Sequence, residues 1–154
     1  MSIDAGDQFP EFTLQTDGGG VISRADLHGS VAVVFFYPRD DTPQCTKEAQ
    51  AFRDSHHEFE AAGIKVVGIS ADDIKSHDKF KLKHGLNFIL ASDKDTELAQ
   101  QLGVWVEKSM YGKKYMGLER STFLVDREGA VRRVWRKVKV PGHAADVLAA
   151  AREL

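Results

Sequence analysis

Apolar residues along this chain fall into short blocks separated by glycine, proline and charge. "VAVVFFY", residues 31–37, is continuous, β-branched and aromatic, and too short for a typical helix. It predicts a central strand buried on both faces. "IKVVGIS", 64–70, predicts a second buried strand. Between them, Ala49, Phe52, Phe59 and Ala62 recur at helical spacing and Gly63 closes the pattern, so a long helix is expected. Another helix is predicted within 72–84, with Ile74, Phe80 and Leu82 among its apolar positions and Gly85 behind it. "FIL", 88–90, reads as a short strand and "DTELAQQLG", 95–103, as a short helix. "STFLVD" and "AVRRVWRKV" read as strands joined by the turn "REG", and 142–154 as a terminal helix anchored by Val147 and Leu148. "FTL" and "VIS" flank "QTDGGG", whose glycines suit a turn, so an N-terminal hairpin is expected. "KSMYGKKYMG", 108–117, reads as a loop leading to Arg120.

The resulting order, β-α-β-α-β-α-β-β-α, implies an α/β chain with a central mixed β-sheet flanked by helices. That is the ordering of a thioredoxin-like fold preceded by an N-terminal β-hairpin. The 154 residues suit one domain, 1–154, with no internal repeat or linker. A net charge of −2 argues against a dedicated nucleic-acid binder. No apolar run approaches membrane-spanning length. "MSIDAGDQFP" lacks the basic and apolar regions of a signal peptide. A cytoplasmic, reducing compartment is therefore expected, where a free thiol persists.

That thiol is Cys45 of "TPQCT", the one cysteine in the chain. Thr42 suits a helix N-cap and Pro43 the first helical position, where a missing N–H costs nothing. Cys45 then lies in the first turn. Unpaired N–H groups and the positive end of the helix dipole favour an anion there, and a thiolate is such an anion. The site follows the carboxyl end of a buried strand, where α/β sheets place their chemistry. Arg39 and Lys47 add positive charge, which Asp40, Asp41 and Glu48 partly offset. The alternative is an inert buried cysteine. Positions 42 and 48 hold Thr42 and Glu48, which excludes dithiol exchange of the CxxC kind.

"FYPRDDTPQCTKEAQAFRD" resembles the active-site segment of the peroxiredoxins, whose motif PxxxTxxC is filled by Pro38, Thr42 and Cys45. "VVGIS", "SHDKF", "LGVW", "KSMYGKKYMGLERSTFLVD" and "RKVKVPGHAADVLAA" are similar, in order, to the peroxiredoxin Q branch, also called bacterioferritin comigratory protein. The resemblance implies a thiol peroxidase acting in antioxidant defence on hydrogen peroxide and organic hydroperoxides, with no cofactor. It implies that Cys45 is the peroxidatic cysteine and becomes a sulfenic acid. Thr42, the helix-start N–H groups and Arg120 of "ERST" would stabilise charge on the peroxide. Pro38 would shield the thiolate and shape the pocket, and Glu48, on the same helical face, would hold the arginine.

Many members of that branch carry a resolving cysteine five residues after the first, where this chain has Gln50, or within the segment matching 72–84, where it has none. The sequence thus resembles a single-cysteine member. Its reductant is expected to be an external thiol, thioredoxin or glutathione with glutaredoxin, and its state a monomer, as is common in the branch. Gln44 replaces the usual glycine before the cysteine. Read from the residues alone, each site position keeps a plainer role: Thr42 a cap, Pro38 a strand end, Arg120 a surface residue, Glu48 a partner of the helix dipole. Two other readings of the whole chain stand beside the peroxidase: a thiol-based peroxide sensor, and a non-catalytic thioredoxin-like interaction module. The histidines lack the spacing of a metal cluster, and "SHDKF" reads as a surface helix with one buried phenylalanine. Trp105 and Trp135 are expected to pack rather than bind.

Overall fold

A computed structural model describes residues 3–154. The elements are β1 (Thr13–Thr16), β2 (Val21–Ser23), α1 (Arg24–Leu27), β3 (Val31–Phe36), α2 (Pro43–Ala61), β4 (Ile64–Ser70), α3 (Ile74–His84), β5 (Ile89–Ser92), α4 (Glu97–Leu102), β6 (Trp105–Met110), β7 (Lys113–Leu118), β8 (Ser121–Val125), β9 (Val131–Trp135) and α5 (His143–Ala151). The main sheet has seven strands in the order β2-β1-β5-β4-β3-β8-β9. Its middle strands β3, β4 and β5 run parallel, and β1, β2, β8 and β9 add antiparallel pairs. The sheet is mixed and the fold thioredoxin-like, with the hairpin β1–β2 at its N-terminal edge.

Every residue of β3 is buried, because each face of the sheet carries its own core. Successive side chains of a strand point to opposite faces. Val31, Val33 and Phe35 accordingly join one cluster with Ala49 and Phe52 of α2 and Val147 and Leu148 of α5. Ala32, Val34 and Phe36 join another with Phe9, Phe123 and the α4 residues Leu98 and Leu102. Phe35 stacks on Phe52 with ring centroids 4.5 Å apart. Its ring lies over its cross-strand partner Gly68, where a Cβ would come within 2.8 Å of Phe35 Cζ. Trp105 and Trp135 are partly buried and pack against the two clusters.

The hairpin turns on Gly18 and Gly19, both at positive φ (72° and 81°), a region open to glycine at little cost. The structure departs from the sequence reading in four places. Residues 108–117 are not a loop: most of them form a separate two-stranded sheet, β6–β7, in which Lys108 opposes Tyr115. Helix α1 was not anticipated; Ser23 and Asp26 form a capping box around it. Leu82, counted among the apolar positions of α3, is 86% exposed, and Ala62 is exposed at the C-cap of α2. His77 is fully buried beside Phe80, so "SHDKF" hides two rings rather than one.

Candidate active site

The three parallel strands lie side by side, and the carboxyl end of β3 leads through residues 37–42 into α2. This long helix begins as its sequence suggests, with Thr42 extended at the cap position (φ −89°, ψ 157°) and Pro43 first in the helix. The Thr46 N–H makes an early helical bond, to the Thr42 carbonyl at 2.9 Å. The N–H groups of Gln44 and Cys45 lie ahead of it, where a helix offers no internal acceptor. The Thr42 hydroxyl makes no capping bond and instead donates to the Arg39 carbonyl at 2.9 Å. Cys45 is 2% exposed and packs into the core cluster of α2 and β3.

Arg120 reaches this cysteine from the segment between β7 and β8. Its backbone is anchored by a bond from the Val138 N–H to its carbonyl at 3.0 Å. Its Nη2 donates to Cys45 Sγ at 3.4 Å and its Nη1 to Glu48 Oε1 at 2.7 Å. Glu48 lies one turn beyond Cys45 on the same helical face, so a single guanidinium spans both. The Glu48 side chain is 1% exposed, and its second oxygen, Oε2, is buried with no hydrogen-bond partner. Burial pushes the Glu48 carboxyl up to about 7, against the opposing pull of Arg120. Burial lowers the Arg120 affinity for its proton, but the charges of Glu48 and Cys45 and its bonds to them hold it above the ordinary value.

A guanidinium has five N–H donors. Two are engaged by the sulfur and the carboxylate, which leaves donors for an oxygen placed beside the sulfur. Chemically, this corner can stabilise an anion on sulfur and a second negative charge next to it. The structure therefore brings Cys45, Arg120 and Glu48 into direct contact. Thr42 and Pro38, both partly buried, lie on the segment leading into α2, and no hydrogen bond joins either to the sulfur. Among the described residues, no group of three or more His, Cys, Asp or Glu side chains is arranged to hold a metal.

Two neighbours escaped the sequence reading. Lys108, on β6, lays its stem across Gly117, with its Cδ 3.2 Å from where a Cβ would stand. Burial and the charge of Arg120 lower its pKa, and the charges of Cys45 and Glu119 oppose this. The assignment of 108–117 to a loop concealed that placement. His143, at the start of α5, meets the Thr122 hydroxyl through Nε2 at 2.7 Å and sets its ring edge-on to Phe52 and Trp135. Burial pushes it down to about 4, so the ring is neutral at physiological pH. Its placement after "PG" at a helix start was the one available signal.

The AhpC/TSA family model matches residues 5–134. The chain belongs to the AhpC/TSA family. Within that family its similarity is to the Bcp peroxiredoxins. It is 52% identical over 148 residues to a putative peroxiredoxin Bcp of Coxiella burnetii, covering 96% of this chain and 98% of that one. It is 44% identical over 154 residues to peroxiredoxin Bcp of Bacillus subtilis, covering 100% and 98%. A cysteine-to-serine variant of Xylella fastidiosa peroxiredoxin Q superposes with a TM-score of 0.94 at 36% identity, over 99% of this chain and 98% of that one. The bacterioferritin comigratory protein of Xanthomonas campestris, studied for its alkyl peroxide reduction activity, superposes with a TM-score of 0.89 at 43% identity, over 99% and 97%. Like these Bcp relatives, the chain is a peroxiredoxin, a thiol peroxidase. It differs from a two-thiol enzyme in having Cys45 alone, with Gln50 half-buried on α2 five residues further on. No helix among the described residues is long and apolar enough to cross a membrane.

Proposed function

We propose that this peroxidase reduces hydrogen peroxide and organic hydroperoxides at Cys45 and is recycled by an external thiol. The observation that carries the reading is the single guanidinium shared by Cys45 Sγ and Glu48 at the start of α2. The Cys45 thiolate attacks one peroxide oxygen and the O–O bond breaks. Sulfur is oxidised to the sulfenic acid, and the departing oxygen takes a proton to leave as water or an alcohol. Arg120 stabilises the sulfur anion and the negative charge that develops on the leaving oxygen. Glu48 holds Arg120 in place. The N–H groups of the first helical turn, with Thr42, line the approach, and Pro38 screens the sulfur from water.

The sulfenic acid meets no second cysteine in the chain. A thiol from outside must therefore attack it, releasing water and forming a mixed disulfide. A second thiol then frees Cys45 and carries away the oxidised pair. Thioredoxin, or glutathione with glutaredoxin, supplies these electrons in a reducing, cytoplasmic setting. The whole chain acts as one domain and as a monomer: its exposed large apolar residues are divided among the β1–β2 hairpin and neighbouring β5, α3, and the β6–β7 hairpin. Cys45→Ser is expected to abolish peroxide consumption while leaving the circular dichroism spectrum unchanged; retained turnover would refute the assignment. Running the wild-type assay separately with each reductant system identifies the electron donor. Mass spectrometry after peroxide, with and without thiol, is expected to show more sulfinic acid at Cys45 when thiol is absent; equal amounts would exclude rescue by thiol.

A further inference from the structure

The segment from Tyr37 to Thr42 joins β3 to α2 and contains Pro38, and its two aspartates are both tied to α3. Asp40 is 8% exposed. Its Oδ1 accepts from the Tyr37 hydroxyl at 2.6 Å, and its Oδ2 accepts from the Ser76 hydroxyl at 2.8 Å. The same Oδ2 lies 2.7 Å from Nδ1 of the fully buried His77. The Asp40 N–H donates to Asp72 Oδ2 at 2.8 Å, and Ser70 Oγ holds that same oxygen at 2.7 Å. Asp41, at positive φ (59°), meets Lys83 Nζ at 2.7 Å and His84 Nε2 at 2.9 Å. Helix α3 thus grips the lead-in to Cys45 from its first turn and from its last.

The buried grip carries a proton that can be counted. Nε2 of His77 faces the Ala91 carbonyl at 2.9 Å, and a carbonyl only accepts, so Nε2 bears hydrogen. Nδ1 faces a carboxylate oxygen, which also accepts. A neutral imidazole has one N–H, whereas this ring has an acceptor at each nitrogen. One further proton therefore lies between Nδ1 and Asp40 Oδ2, and on the nitrogen it makes the ring an imidazolium with Asp40 its carboxylate partner. Burial alone would lower the His77 pKa. The bond and charge of Asp40, the Ala91 carbonyl and the charge of Asp72 raise it above the ordinary value instead. The groups facing the ring are Asp40 and Tyr37 from the β3 end, Asp72 from beyond β4, Ser76 from α3 and Ala91 from β5. Burial, reinforced by Asp40, keeps the Tyr37 phenol protonated.

We propose that the His77–Asp40 ion pair is a charged clamp that positions the Pro38–Thr42 segment for the reaction at Cys45, making His77 a positioning residue of the peroxidase. This rests on the reading of Cys45 given above. The clamp is intact below the ordinary imidazole value of 6.5 and is lost as pH rises through the higher value of the folded state. Once the proton leaves, a ring lone pair faces the carboxylate and the segment loses its buried tether. A purely structural pair would affect melting temperature alone; a positioning pair also affects turnover and its pH profile.

Three forms of the protein test this. In the wild type, kcat/KM for hydrogen peroxide is expected to fall on the alkaline side, and ring NMR shifts of His77 at neutral pH are expected to show two N–H groups. In His77→Gln, which stays neutral at every pH, kcat/KM near pH 7 is expected to fall by about tenfold or more, within the range that a displacement of about 1 Å costs. Its alkaline decline should also disappear. Asp40→Asn should return the His77 titration to lower pH and produce a comparable loss of kcat/KM. An active His77→Gln with unchanged kcat/KM and pH profile, or a singly protonated ring in the wild type, would overturn the clamp. The NMR arm uses the wild type, so it decides the charge state even if the variants do not fold. Inactivity of the wild type would overturn the peroxidase reading itself, and with it the positioning role.

Discussion

Two buried ionic groups lie at the same end of the sheet, and they differ in how completely they are satisfied. Around Asp40, both carboxylate oxygens, both nitrogens of His77 and the Tyr37 hydroxyl have partners within 2.9 Å. Around Cys45, the Glu48 Oε2 atom has none, and Arg120 keeps donors to spare. A closed network of this kind fixes a shape, because each lost bond leaves a buried polar atom unpaired. An open one is costly at rest and useful when a ligand arrives, because its free donors point where charge will develop. The difference separates a holding group from the proposed reacting one, although both set a carboxyl group against a basic side chain. Glu48 illustrates the cost. Its carboxylate is desolvated without full compensation, and it titrates near 7 rather than at its ordinary 4.5.

That contrast can be tested by removing one group at a time. Arg120→Met is expected to have the largest effect. It removes a preorganised donor, so kcat/KM for peroxide should fall about 100- to 1000-fold in stopped-flow assays. Stability should change little, because Glu48 takes up a proton rather than remain an unpaired buried charge. Tyr37→Phe should show the opposite pattern. Leaving Asp40 Oδ1 without its donor should cost about 1–3 kcal/mol in urea unfolding, with kcat/KM reduced by less than about tenfold. If Tyr37→Phe proved the more damaging of the two to turnover, the division between holding and reacting would fail. The smallest effect is expected from Glu48→Gln, and it lies in pH dependence. Glu48 binds its proton more tightly folded than unfolded. Its contribution to stability is therefore complete below 4.5 and lost as pH rises through about 7. The unfolding midpoint of the variant should accordingly change less than that of the wild type between about pH 5 and about pH 8. Equal slopes would show that the carboxyl does not titrate in that window.

Much of this molecule was legible because it is strongly patterned. A strand buried on both faces has to be a continuous apolar run, so β3 and β4 could be read almost to the residue. The placement of Cys45 followed from Thr42 and Pro43, which are local signals. Hairpin β6–β7 was missed because its strands lie away from the main sheet and are largely exposed, so apolar and polar residues do not alternate along them. Leu82 marks the reverse failure, an apolar residue that faces solvent, two positions from buried Phe80 and so off its face of the helix. His77 was placed on a surface helix and Asp40 was read only as a charge offsetting Arg39 and Lys47, because their burial depends on each other, across 37 positions of sequence. Arg120 and Glu48 were assigned through resemblance, since nothing within either segment shows that they meet. Pairings between distant segments are a property of the fold, and local spacing does not carry them.

The β6–β7 hairpin carries further sulfur, held out toward solvent. Met110 and Met116 are 57% and 49% exposed there, while Cys45 is 2% exposed. A chain treated with oxidant therefore carries, among the described residues, one deep sulfur and two shallow ones, and each gains mass in steps of one oxygen. The intact mass of the protein confounds them. Only a peptide that separates Cys45 from the hairpin reports the state of the enzyme, and the methionine sulfoxides beside it record how much oxidant reached the surface without being consumed.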